Sequence, residues 1–163
     1  MRSSKPNWTK IWNGFIESFA RAPISRKLCD DWRFRKRGAP GETRPLGIPS
    51  VYDRVCQQAL VNRLEPIFER VFDPSSFGYR KGRKTADALT KIWREVENGN
   101  EWIVDADLKD FFGSVDHEKL LTLVGKQIAD GCVLKLIQRM LEAGYETQGQ
   151  KFATPSGTPQ GGK

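Results

Sequence analysis

Two carboxylates in an apolar run are the residues of this sequence best suited to chemistry. Residues 102–108 have a β-type pattern, and alternate residues of a strand share a face, so Asp105 and Asp107 emerge on the same side with Asp110 after them. Carboxylates are costly to desolvate without a cation, and Mg²⁺ takes such oxygens while it bridges phosphates. The pattern therefore suits phosphoryl or nucleotidyl transfer. The alternative is a strand end whose carboxylates face water or Lys109.

A basic segment is the second candidate site, because four cations occupy five positions directly after two aromatic residues. The cations are Arg80, Lys81, Arg83 and Lys84, and the aromatic residues are Phe77 and Tyr79. Cations neutralise backbone phosphates and aromatic rings stack on bases or sugars, so the segment suits a nucleic-acid strand. The alternative is a solvated basic loop whose Phe77 fills space in the core.

Two further arginines suit the oxygens of a triphosphate, which guanidinium groups bind as a fork. Arg44 follows a glycine-rich turn, and Arg54 lies about one turn into the next predicted helix. The alternative is that both are ordinary surface arginines.

The composition is that of a folded domain with an uneven charge. The chain has 163 residues, of which 29% are charged and 38% hydrophobic, enough for one domain with a core. The net charge of +7 divides into +10 over residues 1–84 and −3 over residues 85–163. A polyanion held by the front half, with cations or chemistry in the back half, fits this division.

The composition also excludes several classes of protein. Three cysteines without paired spacing argue against a disulfide framework or a thiolate zinc site, and the one histidine, His117, excludes a His-rich metal site. No apolar run approaches the roughly 20 residues of a membrane span, and the first residues lack the apolar segment of a signal peptide. We therefore expect a cytoplasmic, soluble protein without a membrane partner.

Helices and short extended segments must position these residues. The pattern predicts a helix over 7–20, a loose hairpin of 32–35 with 44–49, a helix from Ser50 to about Phe72 that Pro66 interrupts, a helix over 85–97, the strand at 102–108, helices over 117–128 and 131–143 capped by Asp116 and Asp130, and a hairpin of 145–147 with 151–153. The helix after Ser50 is predicted to bury Val51, Val55, Ala59, Leu60, Leu64, Ile67, Phe68 and Val71.

Four ordered motifs carry a specific resemblance. They are RPLGIPSVYDRVCQQAL at 44–60, SFGYRKGRKTADA at 76–88, VDADLKDFFGSVDH at 104–117 and GTPQGG at 157–162. In this order they resemble the fingers and early palm of a bacterial group II intron-type reverse transcriptase. The resemblance implies an α+β fold, a partial right hand with helical fingers and the first part of the palm. Residues 1–40 would then be a poorly matching extension, 41–100 the fingers, and 101–163 the truncated start of the palm.

The resemblance implies RNA-directed DNA polymerase activity and a role for each palm residue. Asp107 is the expected catalytic aspartate, and with the backbone carbonyl of Leu108 it would hold the two Mg²⁺ ions of nucleotidyl transfer. Phe112 is the expected aromatic under the sugar, where it would exclude a 2′-hydroxyl. Asp105 is expected to be structural, and His117 to be a residue at the start of a helix.

The remaining roles concern the nucleotide and the nucleic acids. Gln160 and Gly161 of the Pro-Gln-Gly loop would touch the incoming dNTP, and Arg44 and Arg54 would clamp its triphosphate. The cations Arg80, Lys81 and Lys84 would lie near the backbone of the RNA template or the DNA primer.

One departure from the family pattern limits the expected activity. Family members carry an aromatic-Ala-Asp-Asp turn after the Pro-Gln-Gly loop, and this motif does not occur in the 163 residues. Since one aspartate cannot hold two cations, we expect negligible polymerase activity from this chain unless the missing remainder of the polymerase is supplied. The alternative function is a non-catalytic, maturase-like module that binds intron RNA.

Overall fold

A computed structural model describes Gly14, Glu17, Ser18 and residues 26–35 and 43–158, with backbone alone for 26–35, 43–46 and Thr147. The three isolated residues are helical, and the rest of the helix predicted over 7–20 lies outside the described residues. Gln160 and Gly161 lie outside them too.

A mixed sheet of four strands forms one part of the fold. Its strands are β1 (Arg26–Arg35), β2 (Thr43–Pro49), β3 (Tyr145–Thr147) and β4 (Gln150–Phe152), in the order β2-β1-β3-β4. The hairpin of β1 and β2 is antiparallel, as predicted, with a register shift between Cys29 and Phe34. Strand β2 contains Pro45 and Pro49 and lies at the edge of the sheet, where a missing N–H is tolerated.

The second predicted hairpin is also present. Strands β3 and β4 pair antiparallel around Gln148 and Gly149, both with positive φ (49° and 78°), the conformation of a two-residue hairpin turn. The rings of Tyr145 and Phe152 stack across the pair with centroids 5.3 Å apart. Strand β3 also pairs parallel with β1.

Four helices follow the sequence pattern closely. They are α1 (Val51–Phe68), α2 (Thr85–Glu97), α3 (His117–Gly125) and α4 (Gly131–Glu142). Asp116 and Asp130 cap α3 and α4 as predicted, because their carboxylates accept backbone N–H groups of the first turn. Helix α1 runs through Pro66 as one helix and ends four residues earlier than predicted.

The chain divides into two compact units, Met1–Leu60 with Asp110–Lys163, and Val61–Lys109. The apolar core lies in the first unit, where α3 packs against α4. The buried apolar side chains are Cys56, Leu60, Ile128, Val133, Leu136, Met140 and Leu141. Burial raises the pKa of the Cys56 thiol to about 11, and the negative charge of Asp53 adds to the effect.

The second unit, all of which is described, is organised differently. Its one buried residue is Arg80, while α2 exposes its apolar residues Leu89, Ile92, Trp93 and Val96. An arginine and its partners therefore order this unit in place of an apolar core.

The prediction for the buried face of α1 was confirmed for Leu60 and wrong for Val51 and Val55. The buried residues are Asp53, Cys56, Gln57 and Leu60, whereas Val51 and Val55 are more than half exposed. Apolar residues are spread around this helix, so their spacing alone does not select a face. The packing of the first unit selects it, and Ser50 satisfies the buried Asp53 by donating its hydroxyl at 2.7 Å.

The strand predicted over 102–108 was also wrong. Residues 101–108 have no regular secondary structure, and Trp102, Ile103 and Val104 are at least 80% exposed. A strand requires a neighbouring backbone for its hydrogen bonds, and in the described chain no segment pairs with this one.

Among the described helices, none combines the length and the apolar character that crossing a membrane requires.

The core of the first unit predicts a contrast between two leucines. Leu136 of α4 is 0% exposed and Leu123 of α3 is 58% exposed. Leu136→Ala should lower the free energy of unfolding by about 2–5 kcal/mol, because it leaves a cavity. Leu123→Ala, the matched control, should change it by less than about 1 kcal/mol. Urea unfolding followed by circular dichroism measures both, and equal losses would contradict the assigned core.

Candidate functional site

The segment that carries Asp107 is irregular and open to solvent. Asp105, Asp107 and Leu108 are all exposed, and the Asp107 carboxylate and the Leu108 carbonyl are oxygen donors on this exposed segment. Hard cations prefer such donors. No group of three or more metal-binding side chains occurs in the described part of the chain. Two donors fit a divalent ion that completes its coordination with other oxygens.

The turn that follows carries Phe112. Asp110 has a φ of 49°, and the Ser114 N–H donates to its carbonyl at 3.0 Å, which closes the turn. The rings of Phe111 and Phe112 meet edge to face with centroids 5.4 Å apart. Phe112 is 38% exposed, so part of its ring is available to a ligand.

The loop that leads to Gln160 docks on this turn through its backbone. The N–H of Thr158 donates to the Phe112 carbonyl at 2.7 Å, and the N–H of Gly157 donates to the Val115 carbonyl at 2.8 Å. Gly157 has a φ of 76°, and a Cβ placed on it would lie 2.7 Å from the carbonyl carbon of Gly113. Only glycine allows this approach, so Gly157 fixes the distance between the two segments.

His117 adds a side-chain link to the same contact. Its Nε2 lies 2.7 Å from the carbonyl oxygen of Gly157. Since a carbonyl oxygen can only accept, Nε2 carries the proton and donates it. His117 is the first residue of α3, as expected, so it ties the start of that helix to the docked loop.

The two candidate triphosphate arginines lie on consecutive elements of the first unit. The backbone of Arg44 pairs with Phe34 inside the hairpin, and its side chain lies outside the described atoms. Arg54 is exposed in the first turn of α1, and its N–H donates to the Ser50 carbonyl at 3.0 Å. Ser50 thus begins the helix that presents Arg54.

Arg80 is the buried cation of the second unit. Its Nε and one terminal nitrogen donate to the two carboxylate oxygens of Glu69 at 3.1 and 2.6 Å, and the other terminal nitrogen donates to the carbonyls of Asp73 and Ser76 at 2.8 and 2.7 Å. Its guanidinium also lies 5.4 Å from the centre of the Phe72 ring. We call this set of contacts the Arg80 clamp.

The clamp changes the role expected of Arg80. The side chain is 4% exposed, so its guanidinium faces the protein where the sequence favoured a phosphate contact. Lys81 and Lys84 are exposed, while Arg83 is half-buried, donates to the Pro74 carbonyl at 3.1 Å and lies over the Phe77 ring. The lysines are therefore the cations that the loop of residues 76–84, the basic loop, presents outward.

Hydrogen bonding shifts the pKa values of the acidic groups around the clamp. The Arg80 guanidinium lowers the pKa of Glu69, chiefly by its side-chain hydrogen bond, and Glu69 in turn raises the pKa of Arg80. The backbone N–H of Ser75 lowers the pKa of Asp73. Both carboxylates are thus held charged beside the arginine.

The structure brings only some of the predicted residues together. In the first unit, Phe112 meets the loop whose next residues include Gln160, and Arg54 lies at the start of α1. Asp107 and Leu108 belong to the second unit, which also contains the basic loop.

The sequence did not predict the roles of two residues, one in the Arg80 clamp and one in the loop that docks on the turn of Phe112. Glu69 is eleven positions from Arg80, and nothing in its local pattern indicates a partner so far along the chain. Gly157 was noted as part of a motif, and its left-handed φ next to Gly113 follows only from the fold.

Comparison with known proteins decides the family. A profile described as "Reverse transcriptase (RNA-dependent DNA polymerase)" matches residues 34–163. The chain belongs to the reverse transcriptase family. The resemblance carried by the four motifs is thereby confirmed.

Three curated relatives of this reverse transcriptase chain are informative. Group II intron-encoded protein LtrA of Lactococcus lactis subsp. cremoris is 43% identical over 119 residues, which is 73% of this chain and 20% of LtrA. Protein YkfC of Escherichia coli is 33% identical over 75% of this chain and 33% of YkfC. A 91 kDa protein in the cob intron of Schizosaccharomyces pombe is 38% identical over 89% of this chain and 17% of that protein. The chain thus spans a third or less of the length of these relatives.

The docked loop of this reverse transcriptase chain predicts a cost for filling Gly157. Gly157→Ala should lower the free energy of unfolding by about 1–3 kcal/mol more than Gly149→Ala, because both have positive φ but only Gly157 faces a backbone. The N–H of Thr158 should also exchange with solvent faster in Gly157→Ala. Urea unfolding and amide hydrogen exchange measure these effects, and identical behaviour of the two variants would contradict the docking.

The Arg80 clamp predicts a pH dependence. Because the folded-state pKa of Glu69 is lowered, its contribution to stability is present above the unfolded pKa of about 4.3 and is lost as pH falls through the folded value. The urea midpoint of Glu69→Gln should therefore fall less between pH 7 and pH 3 than that of the wild type.

Glu101→Gln is the matched control for this experiment, since Glu101 is exposed and lies in the same unit. It should keep the pH dependence of the wild type. If Glu69→Gln and Glu101→Gln respond alike to acid, the clamp does not stabilise the charged carboxylate.

Proposed function

We propose that this chain forms part of an RNA-directed DNA polymerase of the group II intron type. The observation that carries the proposal is the backbone contact between Thr158 and Phe112, because it joins the residue that precedes the Pro-Gln-Gly motif in the sequence to the turn that bears the candidate sugar-contacting ring. Membership of the reverse transcriptase family and likeness to an intron-encoded protein support it.

We propose that each candidate residue of the first unit contacts a different part of the incoming nucleotide. Phe112 would lie against the deoxyribose of the incoming dNTP and leave no room for a 2′-hydroxyl. Gln160 and Gly161 would contact the same nucleotide. Arg44 and Arg54 would bind its triphosphate, where guanidinium groups match the paired oxygens of a phosphate.

Divalent metal ions are a general requirement of reverse transcriptases, and here we propose Mg²⁺. The Asp107 carboxylate and the Leu108 carbonyl would hold the ions, since both are hard oxygen donors and both belong to exposed residues. Bound Mg²⁺ would supply charge stabilisation for in-line nucleotidyl transfer. Asp107 would thus serve as the catalytic carboxylate, with Asp105 beside it in a structural role.

The basic loop supplies the proposed contact with nucleic acid. Lys81 and Lys84 would bind the backbone of the RNA template or the DNA primer, while Arg80 would keep the loop in shape from inside. The excess of positive charge over residues 1–84 supports this assignment.

A maturase-like module that binds intron RNA without catalysis is the second candidate. It is favoured by the outward lysines of the basic loop and by relatives named for introns. The two functions differ in their need for Asp107.

Substitution of Asp107 tests the proposal. In a protein where this chain is completed by a segment with the aromatic-Ala-Asp-Asp motif, Asp107→Asn should reduce primer extension on an RNA template about a thousandfold or more. Asp105→Asn is the matched control and should keep most of the activity. RNA affinity should be unchanged in both variants.

The outcomes separate the candidates. Extension that survives Asp107→Asn would overturn the polymerase assignment, and RNA binding without any extension in the completed protein would favour the module. The 163-residue chain alone should bind RNA but extend no primer, because it contributes one catalytic carboxylate.

A further inference from the structure

Tyr79 has an unusual place in the basic loop. Its backbone φ is 56°, a left-handed conformation that is uncommon for residues with a side chain and rare for large ones. Its side chain is fully exposed, with a relative accessibility of 101%. The left-handed backbone and the exposed ring together place Tyr79 where a ligand can reach it, and a backbone outlier of this kind motivates a functional hypothesis.

The Arg80 clamp explains how this conformation persists. Arg80 follows Tyr79 directly, and its guanidinium donates to the carbonyls of Asp73 and Ser76 as well as to Glu69. The backbone on one side of Tyr79 is therefore anchored to the segment that precedes it. Strained residues survive where such surrounding contacts determine the backbone.

The two aromatic residues of the loop have different surroundings. Phe77 is half-buried and has the Arg83 guanidinium 5.5 Å from its ring centre. The loop thus uses Phe77 internally and presents Tyr79 to solvent. The sequence pattern alone treats the two rings as equivalent.

Exposed cations follow Tyr79 closely along the chain. Lys81 and Lys84 are both exposed, and the N–H of Arg83 donates to the Arg80 carbonyl at 3.2 Å, which closes a turn over Lys81 and Gly82. An aromatic platform next to outward cations is the usual arrangement for a single strand, because the base stacks while the phosphates are neutralised.

We infer that Tyr79 is a base-stacking residue that holds an unpaired nucleotide of RNA on the basic loop. This inference rests on the proposed function, in which Lys81 and Lys84 bind the backbone of the same strand. It adds a contact to the base, which sequence-independent phosphate binding does not supply.

Direct binding by the full chain tests the inference. The probes are fluorescein-labelled single-stranded oligoadenylate of about 12 nucleotides and an RNA duplex of the same length, measured by fluorescence anisotropy. Tyr79→Asn removes the ring and suits the left-handed backbone, since Asn adopts positive φ more readily than most residues. It should weaken oligoadenylate binding about fivefold to a hundredfold and leave duplex binding unchanged.

Three further variants define the cause. Tyr79→Phe keeps the ring and should bind oligoadenylate like the wild type. Trp102→Ala removes an equally exposed aromatic residue outside the basic loop and should also bind normally. Lys81→Ala should weaken both probes and reduce the salt dependence for the single strand by a slope of about 0.7, whereas Tyr79→Asn should not change that slope.

Other outcomes would contradict either stacking by Tyr79 or the proposed RNA contact. If Lys81→Ala weakens binding while Tyr79→Asn does not, stacking is wrong and the proposed function stands. If Tyr79→Phe loses as much as Tyr79→Asn, the hydroxyl and not the ring makes the contact, and stacking is again wrong. If the wild-type chain binds neither probe, the proposed RNA contact fails together with the inference.

Discussion

The buried guanidinium of Arg80 is the interaction on which the second unit depends. No other residue of Val61–Lys109 is buried, so the unit has no apolar core to fix its loop. A neutral side chain could not replace it, because the clamp satisfies two carboxylate oxygens and two backbone carbonyls at once. Arginine alone among side chains carries five donors in a rigid plane that matches such a set.

The first unit is fixed by a different constraint, the close approach of two backbones. Gly157 lies against Gly113, and the hydrogen bonds of the Gly157 and Thr158 N–H groups span the turn that carries Phe112. His117 donates to the same loop, so the start of α3 and the loop are held together. These backbone contacts fix the turn, and Phe112 on it remains 38% exposed, which suits a residue proposed to contact a ligand.

Local signals predicted most of the elements, and non-local packing decided what they missed. The caps Asp116 and Asp130 and the Gln148-Gly149 turn act over three or four residues, so their sequence is sufficient to find them. Residues 102–108 have the alternation of a strand, but a strand exists only with a neighbour. The buried face of α1 likewise depends on what packs against it, and its apolar residues point in too many directions to reveal that.

The candidate site shows the same division between local and non-local information. Its motifs identify the family without a structure, because residue types at fixed spacing suffice for recognition. The motif does not predict the role of each cation, since the neighbours Arg80 and Lys81 are buried and exposed, respectively. The positions of Glu69 and of the Asp73 and Ser76 carbonyls, supplied by the fold, make Arg80 internal.

The chemistry of arginine and lysine accounts for the pattern within the basic loop. Arg80 and Arg83 are the cations turned inward, where planar guanidinium groups donate to carbonyls and cover aromatic rings. Lys81 and Lys84 are turned outward, and an ammonium on a flexible stem is a hydrated point charge that can follow a phosphate backbone. Replacement of Arg80 and Arg83 by lysine would keep the net charge of the loop but remove these guanidinium contacts. The conformation of the loop therefore depends on whether arginine or lysine occupies each position. Its number of positive charges alone does not describe this difference.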